Sequence, residues 1–193
     1  MNERHLTYLA SPEWAETLRT DLLPWLDTVA DLGEDVLEIG PGPGLTTDLL
    51  RARAKTVTAV EIDAGLATAL AERLAGTNVE VIGGDAITVG LPADRFSTAA
   101  CFSMLHHLPS PQAQDQLFAE LCRALRPGGT LVGIDSLDTE RIRQGHVDDT
   151  FVPLDLATVR PRLEAAGFTA VTIDQGQYQD RGDQVRFHAR KPG

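Results

Sequence analysis

Residues 36–50 read VLEIGPGPGLTTDLL, and this stretch decides how the rest of the chain is read. Val36 to Ile39 is apolar apart from Glu38, which suits a strand covered on both faces. Gly40, Gly42 and Gly44 follow at alternate positions, with Pro41 and Pro43 between them. From Leu45 to about Ala52 the pattern becomes helical. Strand, glycine turn and helix together bring bare backbone to a helix N-terminus, where a ligand can lie almost on the chain. A dinucleotide fingerprint needs G-x-G-x-x-G, whereas here the spacing is G-x-G-x-G and position 45 is Leu. Two prolines also remove two backbone donors, a poor arrangement for a pyrophosphate. The loop therefore points to a ligand without phosphate.

The same alternation continues outward. Strands are expected at Thr56–Ile62, Val79–Ile82, Phe96–Ser103 and Thr130–Asp135, with two more near 170–174 and 184–190. Helices are expected at Ala64–Leu74, after Ser110-Pro111 with Leu117, Leu121 and Leu125 on one face, and at Asp155–Ala166. Arg126-Pro127-Gly128-Gly129 is read as the stop of the helix before it. Ser11-Pro12-Glu13 opens an N-terminal helix carrying Trp14, Leu18, Leu22, Leu26 and Val29, and Pro24 should kink or break it. Residues 136–153 show no regular pattern. Alternating strands and helices imply an α/β fold with a parallel sheet covered on both faces. Ligands in such sheets bind beyond the carboxyl ends of the strands, at the point where strand order reverses.

Acids recur at those strand ends. Glu61 closes the second strand in VTAVEID, where a carboxylate can accept both hydroxyls of a ribose. Asp85 follows the third strand in VIGGDA and can accept from an exocyclic amine. Glu38 lies beneath the glycine loop, where it can hold an ammonium directly or through water, and a buried charge there needs a partner. A ribose, an adenine, a positive amino end and no phosphate describe S-adenosyl-L-methionine.

Composition narrows the partners. The 193 residues suffice for one domain with a sizeable core, 1–193, in which 1–30 form an N-terminal helical segment. His5, Tyr8 and Trp14 in that segment fit a lid over the cofactor, and a helix merely packed on the sheet edge predicts the same stripe. The formal net charge of −11 argues against a nucleic-acid or anionic-membrane partner. The densest basic stretches, RARAK at 51–55 and RFHARK at 186–191, are read as solvated faces. No run is long and apolar enough to span a bilayer, and the first residues lack a secretory layout, so the cytoplasm is the expected location. Cys101 and Cys122 are expected as buried free thiols. No oligomeric state is readable.

EIGPGPG, AVEID, GGDA, FSMLHHL and LRPGGTLV stand in the order and spacing of the class I S-adenosylmethionine-dependent methyltransferases, and the chain resembles that family, strongly over about 30–135. MLHHLP resembles its broad small-molecule branch. The resemblance implies a Rossmann-like, seven-stranded, mostly parallel sheet whose last strand is antiparallel. It implies that Glu38, Gly40, Pro41, Gly42 and Gly44 face the methionine end. Glu61 would hold the ribose, Ile62 beside it would belong to the cofactor site, Asp85 with Ala86 would meet the adenine, and Phe102 would close the site. The first half also looks like the ribosomal RNA adenine dimethyltransferases, which carry an Asn-Leu-Pro-Tyr type motif after the fourth strand. Here that place reads FSMLHHLP, without the amide or the stacking tyrosine. A non-catalytic cofactor-binding protein is the other alternative.

His107 is the candidate general base, since histidine titrates near neutral pH, while His106 is read as packing locally. Adjacent histidines rarely converge on one ion without further ligands, so no metal is expected. His146 with Asp148 and Asp149 could form an acceptor-side base or a divalent site, but is read as a solvated loop; Arg141 and Arg143 could hold an acidic acceptor, but are read as surface charges.

Overall fold

The computed structural model describes residues 7, 9–176 and 182–193. Seven strands form one sheet: β1 (Asp35–Ile39), β2 (Thr56–Glu61), β3 (Val79–Gly83), β4 (Phe96–Phe102), β5 (Leu125–Ser136), β6 (Thr169–Gly176) and β7 (Gln184–Arg190). Their order is β3-β2-β1-β4-β5-β7-β6. β1 to β5 run parallel, and β7 is antiparallel to both β5 and β6. The reversal of strand order lies between β1 and β4, beside the glycine loop. The fold is the Rossmann-like class I arrangement.

The central strands are apolar on both faces because helices cover both. Leu37, Ile39, Ala99 and Cys101 join one core with Leu117, Phe118 and Leu121 of α5 (Pro111–Ala124) and Val159 and Leu163 of α7 (Leu156–Ala165). Val36, Val57, Ala100, Phe102 and Val132 join the other core, with α1 (Pro12–Thr17), α2 (Leu23–Val29) and α3 (Leu45–Arg51). Neighbouring residues alternate between the two cores, as the period of a strand requires. Glu38 therefore shares the face of Val36, toward α3. Helix α4 (Ala64–Arg73) starts at Asp63, whose carboxylate caps Gly65 and Leu66, and it packs on β2 and β3. Both cysteines are free and buried, and burial pushes the Cys101 thiol far up.

Three local expectations change. Pro24 does not break the N-terminal helix. The turn before it, Leu18–Leu22, widens to π-type bonding, so that Leu23 N–H reaches back to the Leu18 carbonyl and the chain stays helical. Leu125 is the first residue of β5, not the last of α5; its backbone is already extended, with φ of −65° and ψ of 142°. Residues 140–145 form a short helix, α6 (Glu140–Gly145), capped by the Thr139 hydroxyl. His5 and Tyr8 lie outside the described residues. No described helix is long and apolar enough to cross a membrane.

Candidate active site

The glycine loop uses all of its own donors. Gly40 N–H bonds the Val60 carbonyl at 2.9 Å, Gly44 N–H bonds the Pro41 carbonyl at 3.0 Å, and Gly42 N–H bonds Glu61 Oε2 at 3.0 Å. Pro41 and Pro43 have none to offer. Residues 40–44 thus leave no backbone N–H to cradle a phosphate, and the expectation of a phosphate-free ligand stands on geometry as well as spacing. Gly40 must be glycine for a second reason. A Cβ there would come within 2.9 Å of Met104 Cβ, so its bareness lets the loop after β4 close on the loop after β1. Gly44 faces elsewhere: a Cβ would meet Leu70 at 2.3 Å and Arg73 at 2.5 Å, which makes Gly44 the contact between α3 and α4.

Glu61 connects two clefts. One is lined by Gly40, Pro41, Gly42, Pro43, Leu45, Thr46, Phe102 and Ser103, with Leu9 and Trp14 of the N-terminal segment across from them. The other is lined by Ile62, Ala64, Ala67, Val81, Gly83 and Gly84. The Glu61 side chain holds Gly42 of the first cleft, and its chain neighbour Ile62 belongs to the second. Glu61 is 5% exposed, and its other oxygen accepts from Asp63 N–H at 2.9 Å. Each carboxylate oxygen keeps a second lone pair for a further donor. Ile62 is 72% exposed, a large apolar side chain held at the rim of a cleft. Asp85 is exposed just beyond β3 and accepts from Ile87 N–H at 2.9 Å, while Ala86 beside it is buried.

Glu38 sits differently from the sequence expectation of an open ammonium partner. Both of its oxygens accept threonine hydroxyls, Oε1 from Thr46 and Oε2 from Thr47 at 2.6 Å. Burial pushes its pKa up to about 7, against the two threonine bonds, which pull it down. Thr46 in turn lines the cleft, so Glu38 reaches the cleft through that hydroxyl. Thr46 and Thr47 carried no signal when read alone. One turn of helix after Gly44 puts them above Glu38, and that pairing appears only in three dimensions.

Beyond β4 the chain turns sharply. Ser103 has φ of +53°, an uncommon value for a residue with a side chain, and its N–H bonds the Ile134 carbonyl at 2.7 Å. A 3₁₀ turn, Leu105–His107, follows. His106 is fully buried, with Nδ1 2.6 Å from Asp135 Oδ1. Asp135 also accepts from Leu105 N–H at 2.8 Å and Ser136 N–H at 2.7 Å. His107 is half-buried, its Nδ1 3.8 Å from Asp149 Oδ1. His146 is buried, not solvated, because its ring packs against Phe151 with centroids 4.6 Å apart and Nδ1 lies 2.8 Å from the Ile142 carbonyl. Gln114, fully buried on α5, straps the two segments by donating to the carbonyls of Leu105 at 3.0 Å and Val152 at 2.8 Å. Of the two arginines, Arg143 pairs with exposed Asp138, and Arg141 pairs with buried Asp183.

Comparison with known proteins agrees with this fold. The family model described as a methyltransferase domain matches residues 37–133. An uncharacterized methyltransferase of Geobacillus kaustophilus is 36% identical over 122 residues, 62% of this chain and 56% of that protein. The ubiquinone biosynthesis O-methyltransferase of Pseudomonas fluorescens is 33% identical over 110 residues, 54% of this chain and 46% of its own length. The ribosomal RNA small subunit methyltransferase A of Deinococcus radiodurans is 54% identical, but over only 55 residues, 28% of this chain and 19% of its own. The chain spans about half the length, or less, of these curated relatives. Solved methyltransferase structures at 13–22% identity share the fold with TM-scores of 0.72–0.77.

Fold and family match define the class, a methyltransferase domain. The chain belongs to the class I S-adenosyl-L-methionine-dependent methyltransferases.

Proposed function

We propose that this chain transfers the methyl group of S-adenosyl-L-methionine to a small-molecule acceptor bound beyond β4 and β5. The observation that carries the cofactor half is the bridge at Glu61. A buried carboxylate with lone pairs to spare stands between an apolar rim at Ile62 and a donor-free glycine loop at 40–44. That sequence of surfaces matches base, sugar and amino-acid end in order. Glu61 takes the ribose hydroxyls, Ile62, Asp85 and Ala86 take the adenine, and Gly40, Pro41, Gly42 and Phe102 border the methionine end. Glu38 meets the ammonium through Thr46, and Gly44 acts only by holding α3 in place.

The cofactor supplies an electrophilic methyl on sulfonium. The chain's part is to align an acceptor with that methyl and to exclude water. Leu9 and Trp14 line the methionine end, which supports a lid role for the N-terminal segment of a single domain spanning 1–193. His107 stands on the acceptor side, because Met104, three residues before it, packs against Gly40.

Charge placement supports the small acceptor. Most of the basic side chains in these stretches are paired with acids: Arg51 with Asp48, Arg53 with Asp27, Arg186 with Asp21 and Lys191 with Asp94, while Lys55 and Arg190 are exposed. Pairing of this kind weakens their pull on a phosphate backbone. The 54% identity to the ribosomal RNA enzyme favours RNA as a second reading, but that likeness covers 55 residues of this chain. Two measurements test the proposal. Calorimetric titration of the intact chain with S-adenosylhomocysteine should show binding, and a folded protein that binds none overturns the cofactor site. Labelled cofactor incubated with a cell extract should leave label in the low-mass fraction, and label in RNA instead overturns the acceptor class.

A further inference from the structure

Three histidines from separate parts of the chain converge beyond β4. His106 and His107 come from the 3₁₀ turn, and His146 caps the end of α6. One ring nitrogen from each lies within 4.8 Å of the other two. The ring centroids of His106 stand 4.2 Å from His107 and 4.8 Å from His146, and those of His107 and His146 are 5.4 Å apart.

Two of the rings have their tautomers set. An ionised carboxylate only accepts, so His106 Nδ1 donates to Asp135 and the lone pair falls on Nε2. A carbonyl also only accepts, so His146 Nδ1 donates to Ile142 and its Nε2 carries the lone pair. Phe151 fixes the plane of His146 by stacking on it and meets His106 edge-on at 5.7 Å. Gln114 holds this segment to the 3₁₀ turn.

We propose that His106, His107 and His146 form a binding site for one divalent transition-metal ion, with zinc the best match. Neutral imidazoles suit zinc, and three protein ligands leave a fourth position open, the pattern of a reactive rather than a purely structural site. Asp135 behind His106 and the Ile142 carbonyl behind His146 are the outer partners that orient metal-binding histidines. Asp135 and Asp149 bring two negative charges beside the dication. Zinc–nitrogen bonds of about 2.0–2.1 Å in a tetrahedron set nitrogens about 3.4 Å apart, so the rings close by on the order of 1 Å. Helix α6 holds no buried residue between Glu140 and Gly145, so a shift of that size would disturb little core packing, with the Arg141–Asp183 pair its main tether. The fourth position suits an oxygen or nitrogen of the acceptor. In this site His107 works by holding the ion, not by taking a proton itself. The inference departs from the sequence expectation of no metal, which lacked the third ligand. It does not depend on which acceptor is methylated.

The test uses the full-length chain without an affinity tag, stripped by chelator and titrated with Zn²⁺ alone and with Co²⁺ alone. The expected result is one ion per chain, the strong visible absorption of four-coordinate Co²⁺, and a zinc-dependent rise in Tm. His107→Ala and His146→Ala should each weaken zinc binding at least tenfold, and two variants keep the test open if one fails to fold. His188→Ala, on β7 outside the cluster, should leave binding unchanged. A folded wild-type chain that takes up no ion overturns the site. So does zinc affinity unchanged in the folded histidine variants, or the pale spectrum of six-coordinate Co²⁺. Cofactor binding is read separately by calorimetry, so failure here leaves the proposed function standing.

Discussion

The two ends of the cleft are built by different means. The proposed cofactor half comes from short runs at consecutive strand ends: residues 38–47 after β1, 61–63 after β2 and 83–86 after β3. Its contacts are backbone donors, one carboxylate and bare glycines. The proposed acceptor half gathers Ser103 to His107, Asp135, His146 and Phe151, which are spread over about fifty residues and joined by side chains. The cofactor half needs backbone in unusual conformations, so its residues are fixed one by one. The acceptor half depends more on side chains that pack across long separations, although Ser103 is also held at positive φ.

The comparison breaks most readily at Gly44. Its φ is +87°, and a Cβ would strike buried Leu70 and Arg73. Gly44→Val is expected to cost about 3 kcal/mol or more, from left-handed strain of about 1–2 kcal/mol plus overpacking. Gly145→Ala in α6, where a Cβ meets nothing, is the matched change in the acceptor half. It should stabilise by up to about 1 kcal/mol through helix propensity. Urea unfolding of both variants reads the difference, and equal midpoints would show that the two halves tolerate change alike.

Glu38 gives the next largest effect, on the order of 3 kcal/mol from its shift to about 7. The folded chain holds this proton more tightly than the unfolded one. The resulting stability is complete below the unfolded value near 4.5 and is lost as pH rises through about 7. Glu38→Gln removes this dependence. Wild type should therefore lose stability relative to the variant between about pH 5 and about pH 8, as measured by urea midpoints. A gap that stays constant over that range would mean that Glu38 is ionised throughout. If the ammonium of the cofactor is held near Glu38, the affinity of the wild-type chain for S-adenosylhomocysteine should rise with pH through the same range. The variant should stay flat.

The same contrast explains what could be read without coordinates. VLEIGPGPG, AVEID and GGDA fixed the order of strand ends, because glycine spacing and strand-end acids are local signals. The seven strands were legible for the same reason, each bounded by turn residues or by a helix start. The partners of Glu38 were not legible, because Thr46 and Thr47 look like ordinary helix residues until α3 lies over β1. Pro24 misled for want of the π turn that accommodates it. His146 was read as solvated because nothing in QGHVDDTFVP shows that Phe151 folds over it. Convergence over long separations leaves no periodic trace in one sequence.

The smallest of these effects is the most specific. Glu61 does two things at once: it ties Gly42 to the end of β2, and it offers its remaining lone pairs to a ligand. Glu61→Ala removes both, and S-adenosylhomocysteine affinity should fall at least tenfold, since a hydrogen bond to a charged group is worth roughly 1.5–3 kcal/mol. Glu61→Gln separates the two tasks. Its amide oxygen still accepts one loop N–H, but the charge that favours two ribose hydroxyls is gone. If the carboxylate serves the ribose, the Gln variant should lose most of the binding energy lost by Ala while keeping a wild-type melting temperature. If Gln binds like wild type, Glu61 is only the tie of the glycine loop, and the ribose must be held elsewhere in the cleft.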